Sequence, residues 1–235
     1  MKPIYVPKGK AKEYGDYAIN IYTGCPHACY YCFAPSVLRR DRQAFHEKVM
    51  PREGIAEAVR KQISQEKITG KLVHLCFTCD PYPTGYDTTA TREVIHALKE
   101  SGNHVQILTK GSGDRDLDLL DENDWYGISF SCDAAMALRA EPFSLTPLVR
   151  LNTLAMAKSR GIKTWVSFEP VVDAEAVLTC IRLYHQLFDM VKIGKLNYHP
   201  SDINWHDFGH RAEALCKELG LAYYIKDSLR KEMVR

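Results

Sequence analysis

Long apolar runs are missing from this sequence of 235 residues. No segment reaches the roughly 20 consecutive apolar residues that a membrane-crossing helix needs. The opening stretch, MKPIYVPKGKAKEYGDY, also lacks the apolar core of a secretion signal. The expectation is a soluble, cytoplasmic protein with no membrane partner. Net charge is scarce too, since 31 Lys and Arg against 29 Asp and Glu leave +2 at pH 7. So small a balance gives no global field for a polyanion and leaves only local basic patches to recognise one. Repeats, low-complexity segments and linkers are absent, and the length suits one α/β domain over residues 1–235 with a buried core.

Cysteine, by contrast, is plentiful. Eight thiols in a chain expected in a reducing compartment argue for metal or redox use over a disulfide framework. Three of them, Cys25, Cys29 and Cys32, fall in the stretch Thr23-Gly24-Cys25-Pro26-His27-Ala28-Cys29-Tyr30-Tyr31-Cys32-Phe33, at the spacing C-x3-C-x2-C. Three thiolates on one short loop can hold three corners of an iron-sulfur cube and leave the fourth iron open as a reaction site. A structural zinc site, completed by His27 or by a distant cysteine, is the alternative, although no second hook at the usual partner spacing follows. The thiols of Cys76, which falls inside an expected strand, and of Cys132, Cys180 and Cys216 read as packing.

The rest of the chain alternates strands and helices. Strands are expected at 17–22, 71–78, 104–109, 126–131, 163–168, 190–193 and 222–225. Helices are expected from Pro51 (Ile55, Val59 and Ile63 inward), over 89–101, from the Thr146-Pro147 start to Gly161, over 174–188, up to Leu219, and over the basic C-terminus. Apolar strands such as VQIL and MVKI look buried on both faces, which implies a parallel sheet. Polar residues gather at the strands' C-terminal ends: Thr78, Cys79 and Asp80; Thr109 and Lys110; Ser129 and Ser131; Ser167 and Glu169; Lys192, Lys195 and Asn197; Lys226. Helix capping accounts for about half of these.

The cysteine loop is similar to the cluster signature of the radical S-adenosylmethionine (radical SAM) superfamily. Four further pieces, Phe77-Thr78-Cys79-Asp80-Pro81-Tyr82, Leu108-Thr109-Lys110, Ser129-Phe130-Ser131 and Glu141-Pro142 with Arg150-Leu151, resemble the spore photoproduct lyase-like branch. The resemblance implies an incomplete (β/α)6 barrel with a short C-terminal strand-helix extension. It also implies a [4Fe-4S] cluster on Cys25, Cys29 and Cys32, and SAM, whose reductive cleavage yields a 5′-deoxyadenosyl radical. Lys110 and Ser129, with Ser131, match SAM-holding places, Cys79 falls where a serine contacts SAM, and Glu141 and Arg150 sit where a cation could meet SAM's carboxylate. An external one-electron donor such as flavodoxin or ferredoxin is implied as a partner.

The lyases of that branch return a hydrogen atom through a cysteine and a tyrosine whose places fall here on Phe77 and Phe33, which are poor donors. Repair of DNA dimers by that relay is therefore not expected, and Tyr31 and Cys79 become the catalytic candidates. Lys192, Lys195 and Lys226 cluster after the last two strands, which predicts an anionic substrate carrying a phosphate or carboxylate. Two other readings stand beside this enzyme. One is repair or modification of a nucleobase in DNA or RNA, with Arg39, Arg40 and Arg42 beside the cluster; the other is a non-enzymatic zinc- or iron-sulfur-bearing interaction module.

Overall fold

A computed structural model describes residues 2–234. Its eight strands form one sheet in chain order: β1 (Ile4–Tyr5), β2 (Tyr17–Ile19), β3 (Leu72–Leu75), β4 (His104–Ile107), β5 (Trp125–Ser129), β6 (Lys163–Phe168), β7 (Met190–Ile193) and β8 (Tyr223–Ile225). From β2 to β8 every pairing is parallel, and β1 adds antiparallel to β2. The edges β1 and β8 do not pair, so the expected incomplete barrel is observed, with β8 and the helix after it as the C-terminal extension.

Helices α1 (Ala34–Val37) and α2 (Arg42–Glu47) follow the cysteine loop. The crossover helices are α3 (Ile55–Glu66), α4 (Thr89–Glu100), α5 (Ala134–Ala140), α6 (Pro147–Ser159), α7 (Ala174–Tyr184) and α8 (Trp205–Glu218), and α9 (Asp227–Met233) follows the last strand. The sheet's outer face is apolar at every second position: Val73 and Leu75, Val105 and Ile107, Tyr126 and Ile128, Val166 and Phe168, Val191 and Ile193 are all fully buried. Val59, Ile63, Val94, Ile95 and Leu98 of α3 and α4 join the same core. Burying each such side chain contributes roughly 1.5–3 kcal/mol, so this layer holds the scaffold.

The inner face differs from the expectation of strands apolar on both sides. Register places Ala18, His74 and Gln106 side by side, and Ser129, Ser167, Lys192 and Tyr224 in a second row. The inside of this barrel is polar. Many of its buried groups pair with one another, as where His74 Nδ1 lies 2.9 Å from Gln106 Oε1.

Local differences have local causes. Strand β3 stops at Leu75 because Cys76 turns into the left-handed region (φ 69°). Pro51 does not open α3. It bridges to Tyr22 in extended form, and the helix starts four residues later behind Gly54. Strand β1 escapes periodicity because it is two residues long. It is held on its outer side by a helix: Ile4 N–H donates to Gln62 Oε1 and Gln62 Nε2 donates to the Ile4 carbonyl, both at 2.9 Å.

Candidate active site

The cysteine loop leaves β2 at the C-terminal rim of the barrel and is pinned by neighbours on several sides. Cys25 N–H donates to the Phe45 carbonyl (3.3 Å), and His46 Nδ1 lies 2.8 Å from the Cys25 carbonyl. Tyr30 N–H donates to the Ala140 carbonyl at 3.1 Å. Arg42 donates to the carbonyls of Cys32 (3.1 Å) and Tyr30 (2.9 Å), and Arg40 donates to that of Thr23. Two of the three arginines that suggested a nucleic-acid patch are thus spent on the loop itself. Gly24 is required, because a Cβ there would lie 2.3 Å from the Phe45 carbonyl oxygen.

His27 is only 1% exposed, and its ring is committed: Nε2 accepts from Thr84 N–H at 3.2 Å, and Nδ1 lies 3.5 Å from Asp80 Oδ2. Asp80 is a hub, also accepting from Tyr82 N–H (2.8 Å), Thr109 Oγ1 (2.5 Å) and Lys110 N–H (2.9 Å). Burial holds His27 neutral by lowering its pKa against the pull of Asp80. A histidine so engaged does not complete a zinc site.

The two metal readings ask different things of the three thiols. A tetrahedral zinc needs sulfurs about 3.8 Å apart, given Zn–S bonds of about 2.3 Å. Among the described residues, the one set of His, Cys, Asp and Glu ligand atoms that lies mutually within 4.8 Å is His104, Asp121 and Asp124, not the cysteines. Spread thiols on one loop fit a cluster, where each binds a different iron. Burial pushes all three thiols up, Cys29 to about 11, so metal binding here must release protons.

Behind the loop lies a buried polar network. Tyr31 OH donates to Glu141 Oε1 and lies 3.1 Å from Ser131 Oγ, which donates to the same carboxylate oxygen at 2.8 Å. Glu141 pairs with Arg150, and both side chains are essentially unexposed. Arg150 further donates to the carbonyls of Leu145 (2.7 Å) and Ser129 (2.9 Å) and to Ser144 Oγ (2.6 Å). Burial alone would raise the Glu141 carboxyl, but Lys110 and then Arg150 hold it at about 2. Ser131, Glu141 and Arg150, expected to touch SAM, therefore spend these groups on one another and on Tyr31.

Lys110 and Ser129 stand differently. The Lys110 ammonium makes no close ion pair among the described residues, although its charge acts on Glu141, and it sits 5.5 Å from the centre of the Tyr31 ring. Ser129 is buried, its N–H goes to Thr109, and its hydroxyl takes no partner among the described residues. Cys79 lies at the end of β3, where its Sγ accepts from Tyr22 N–H at 3.4 Å. Phe77 stacks on His74 at 4.2 Å inside the barrel, and Phe33 is about half exposed.

The three lysines are only partly brought together. Lys195 turns to Glu232 at 2.5 Å, away from the other two. Lys226, 1% exposed, pairs with Glu169 and lies 3.5 Å from Glu13 Oε2. Lys192 donates to the Glu13 carbonyl at 2.7 Å, and both Lys192 and Lys226 flank the Tyr14 ring. Anions from the chain itself already stand among them. Glu13 and Tyr14 carried no sequence signal, since their partners lie 153–214 residues away.

A sequence profile decides the family: that of the Radical SAM superfamily matches residues 19–175. This chain belongs to the radical SAM superfamily. Radical SAM membership implies an enzyme with a [4Fe-4S] cluster and SAM. An uncharacterised protein of Acidianus two-tailed virus is 31% identical over 185 residues, which is 72% of this chain and 60% of that protein. One from Mycobacterium tuberculosis H37Rv is 30% identical over 179 residues, 71% of this chain and 52% of that protein. The chain thus spans a little over half the length of the curated relatives it matches. Its radical SAM fold is similar to that of spore photoproduct lyase complexed with dinucleoside spore photoproduct (TM-score 0.70, 13% identity, 94% of this chain and 79% of that one). It is also similar to Streptococcus suis SuiB bound to S-adenosylmethionine (TM-score 0.67, 11% identity, 88% and 49%). Among the described residues no helix is long and apolar enough to cross a membrane.

Proposed function

We propose that Cys25, Cys29 and Cys32 hold the [4Fe-4S] cluster, that Lys110 and Ser129 bind SAM beside it, and that the enzyme takes a hydrogen atom from an anionic substrate. The observation that carries this is the donor set itself: three thiols, Cys29 buried and Cys25 and Cys32 half-buried, on one loop pinned by its neighbours. When bound, the cluster and SAM supply one-electron cleavage of SAM to a 5′-deoxyadenosyl radical.

The chain's own residues set the stage for that chemistry. The unpaired Lys110 ammonium suits SAM's carboxylate, and the Ser129 hydroxyl a second polar group of SAM. Tyr31, Ser131, Glu141 and Arg150 act as positioning residues, holding the loop and presenting the Ser129 strand end. A phenol that donates to a buried carboxylate is better placed to brace the loop than to reduce a substrate. Cys79, at the end of β3, stays the candidate hydrogen donor. Electrons from a flavodoxin- or ferredoxin-like donor enter from the loop's outer side, where Tyr30 and Phe33 are exposed.

Anaerobic reconstitution of wild type and Cys29→Ala tests this. Wild type should bind about four irons and release 5′-deoxyadenosine from SAM under dithionite, and the variant should do neither. A full cluster with SAM cleavage in Cys29→Ala, or a colourless wild type holding one zinc after anaerobic purification, would refute it.

A further inference from the structure

The gap between the barrel's two edges is crossed by a strap, a short 3-10 helix (Gly9–Glu13) and Tyr14, which leads into β2 but binds β6, β7 and β8. The Glu13 carboxylate accepts from Asp227 N–H at 2.9 Å and Tyr224 OH at 3.2 Å, with the Lys226 ammonium at 3.5 Å. The Lys192 ammonium reaches the carbonyls of Glu13 (2.7 Å) and Tyr14 (3.3 Å). Tyr14 OH donates to Glu169 at 2.9 Å, and Lys10 donates to Asn197 Oδ1 at 2.8 Å.

Cradle and occupant differ in how they are held. Lys226 follows a strand of the core sheet and is essentially buried. None of Gly9–Glu13 is buried, so the strap hangs on polar contacts and on the Tyr14 ring, which packs edge-on against Phe77 (5.6 Å) and Trp165 (5.9 Å); its release gives up that aromatic packing but no buried residue of the short helix. Under it, His74 is 1% exposed with Nε2 buried and unpartnered, beside the Tyr14 ring at 5.5 Å. A buried polar atom without a partner calls for an explanation, and a hydrogen-bonding group entering this chamber would supply one.

We propose that the Glu13 carboxylate occupies a built oxyanion subsite, and that the substrate carries a carboxylate or phosphate that displaces the strap and takes its place against Lys226, Tyr224 and the Asp227 amide, with Lys192 released from the Glu13 carbonyl beside it. This rests on the reading above, that the enzyme takes a hydrogen atom from an anionic substrate. Charge decides the class of ligand. With the strap in place, Lys192 and Lys226 face Glu13 and Glu169; with it out, two ammonium groups face one carboxylate, and a neutral or cationic ligand leaves that excess uncompensated.

Trypsin reports the strap, since Lys10 and Lys12 are exposed in it. On the reconstituted wild-type enzyme, either inorganic phosphate or succinate should speed cleavage at these lysines at least fivefold, and saturably; the active anion identifies the group recognised. Glu13→Gln should raise basal cleavage and tighten the half-saturating anion concentration about tenfold, whereas Lys226→Met and the milder Tyr224→Phe should weaken it. Cleavage that ignores both anions in wild type, or a Glu13→Gln enzyme with unchanged anion affinity, overturns the subsite. SAM cleavage by wild type is measured alongside. If it persists while the anion response fails, only the subsite is lost; if SAM cleavage fails, the fault lies in the functional reading.

Discussion

Arg150→Met removes the countercharge from a carboxylate that has nowhere to go. Both side chains of the Arg150–Glu141 pair are essentially unexposed, so solvent screening offers no relief. Breaking one side of such a pair costs roughly 3–5 kcal/mol. A second route agrees: the Glu141 carboxyl sits at about 2 against an ordinary 4.5, and the difference corresponds to about 3 kcal/mol favouring its charged form, shared between Lys110 and Arg150. A carboxyl depressed in the folded state adds stability that is complete above the ordinary pKa and is lost as pH falls toward the folded one. Arg150→Met should therefore lower stability at pH 7 by about 3 kcal/mol, or a Tm fall of roughly 10 °C for a chain of this size, and move the onset of acid unfolding to higher pH. Urea denaturation at pH 7 and pH 4 reads both effects. Glu141→Gln combined with Arg150→Met should recover at least half of the loss, since no charge is then stranded. An Arg150→Met protein within about 1 kcal/mol of wild type at pH 7, or a double variant no better than the single one, would refute the reasoning.

Lys110→Ala should weaken SAM binding about tenfold, equivalent to about 1.4 kcal/mol, without loss of iron; unchanged affinity by calorimetry would make it an ordinary loop lysine. Gly24→Ala forces a Cβ against the Phe45 carbonyl oxygen and should lower iron retention after reconstitution, which iron analysis with a matched Gly15→Ala control, where the added Cβ meets only Gln106 Oε1 at 3.9 Å, will check. Lys192 is held down at about 8, first by burial and then by Lys226. The unfolded chain keeps that proton to about 10.5, so stability rises from pH 8 to 10.5 by up to about 3 kcal/mol; Lys192→Met should flatten this rise in chemical denaturation, and an unaltered slope would show that Lys192 is not desolvated.

The strands were legible because one face of each had to be apolar. VQIL and MVKI announced themselves through Val105, Ile107, Val191 and Ile193, while Gln106 and Lys192, set between them, marked an interior that pattern alone read as buried on both sides. The cysteine loop stood out through its spacing, and Lys110 and Ser129 were singled out by their place at strand ends, which the fold places at the same rim. Arg150 and Glu141 were found for the right segment, but which way their groups point depends on Tyr31, more than a hundred residues earlier in the chain. The strap was invisible for the same reason. Glu13 sits in a lysine-rich stretch that reads as a solvated tail, and the Asp227 amide that binds it comes 214 residues later.

Gln62 does more than tether Ile4. Its carboxamide presents to the rim of β1 an acceptor and a donor at 2.9 Å each, the pair of groups that a ninth strand would bring. A side chain from α3 thus stands in for a neighbouring backbone and removes one ready template on which another copy of the chain would stack. In concentrated solution, Gln62→Leu should leave the catalytic rim untouched and turn this side of the molecule adhesive, a fault that shows as precipitation at high protein concentration while each folded chain keeps its own core.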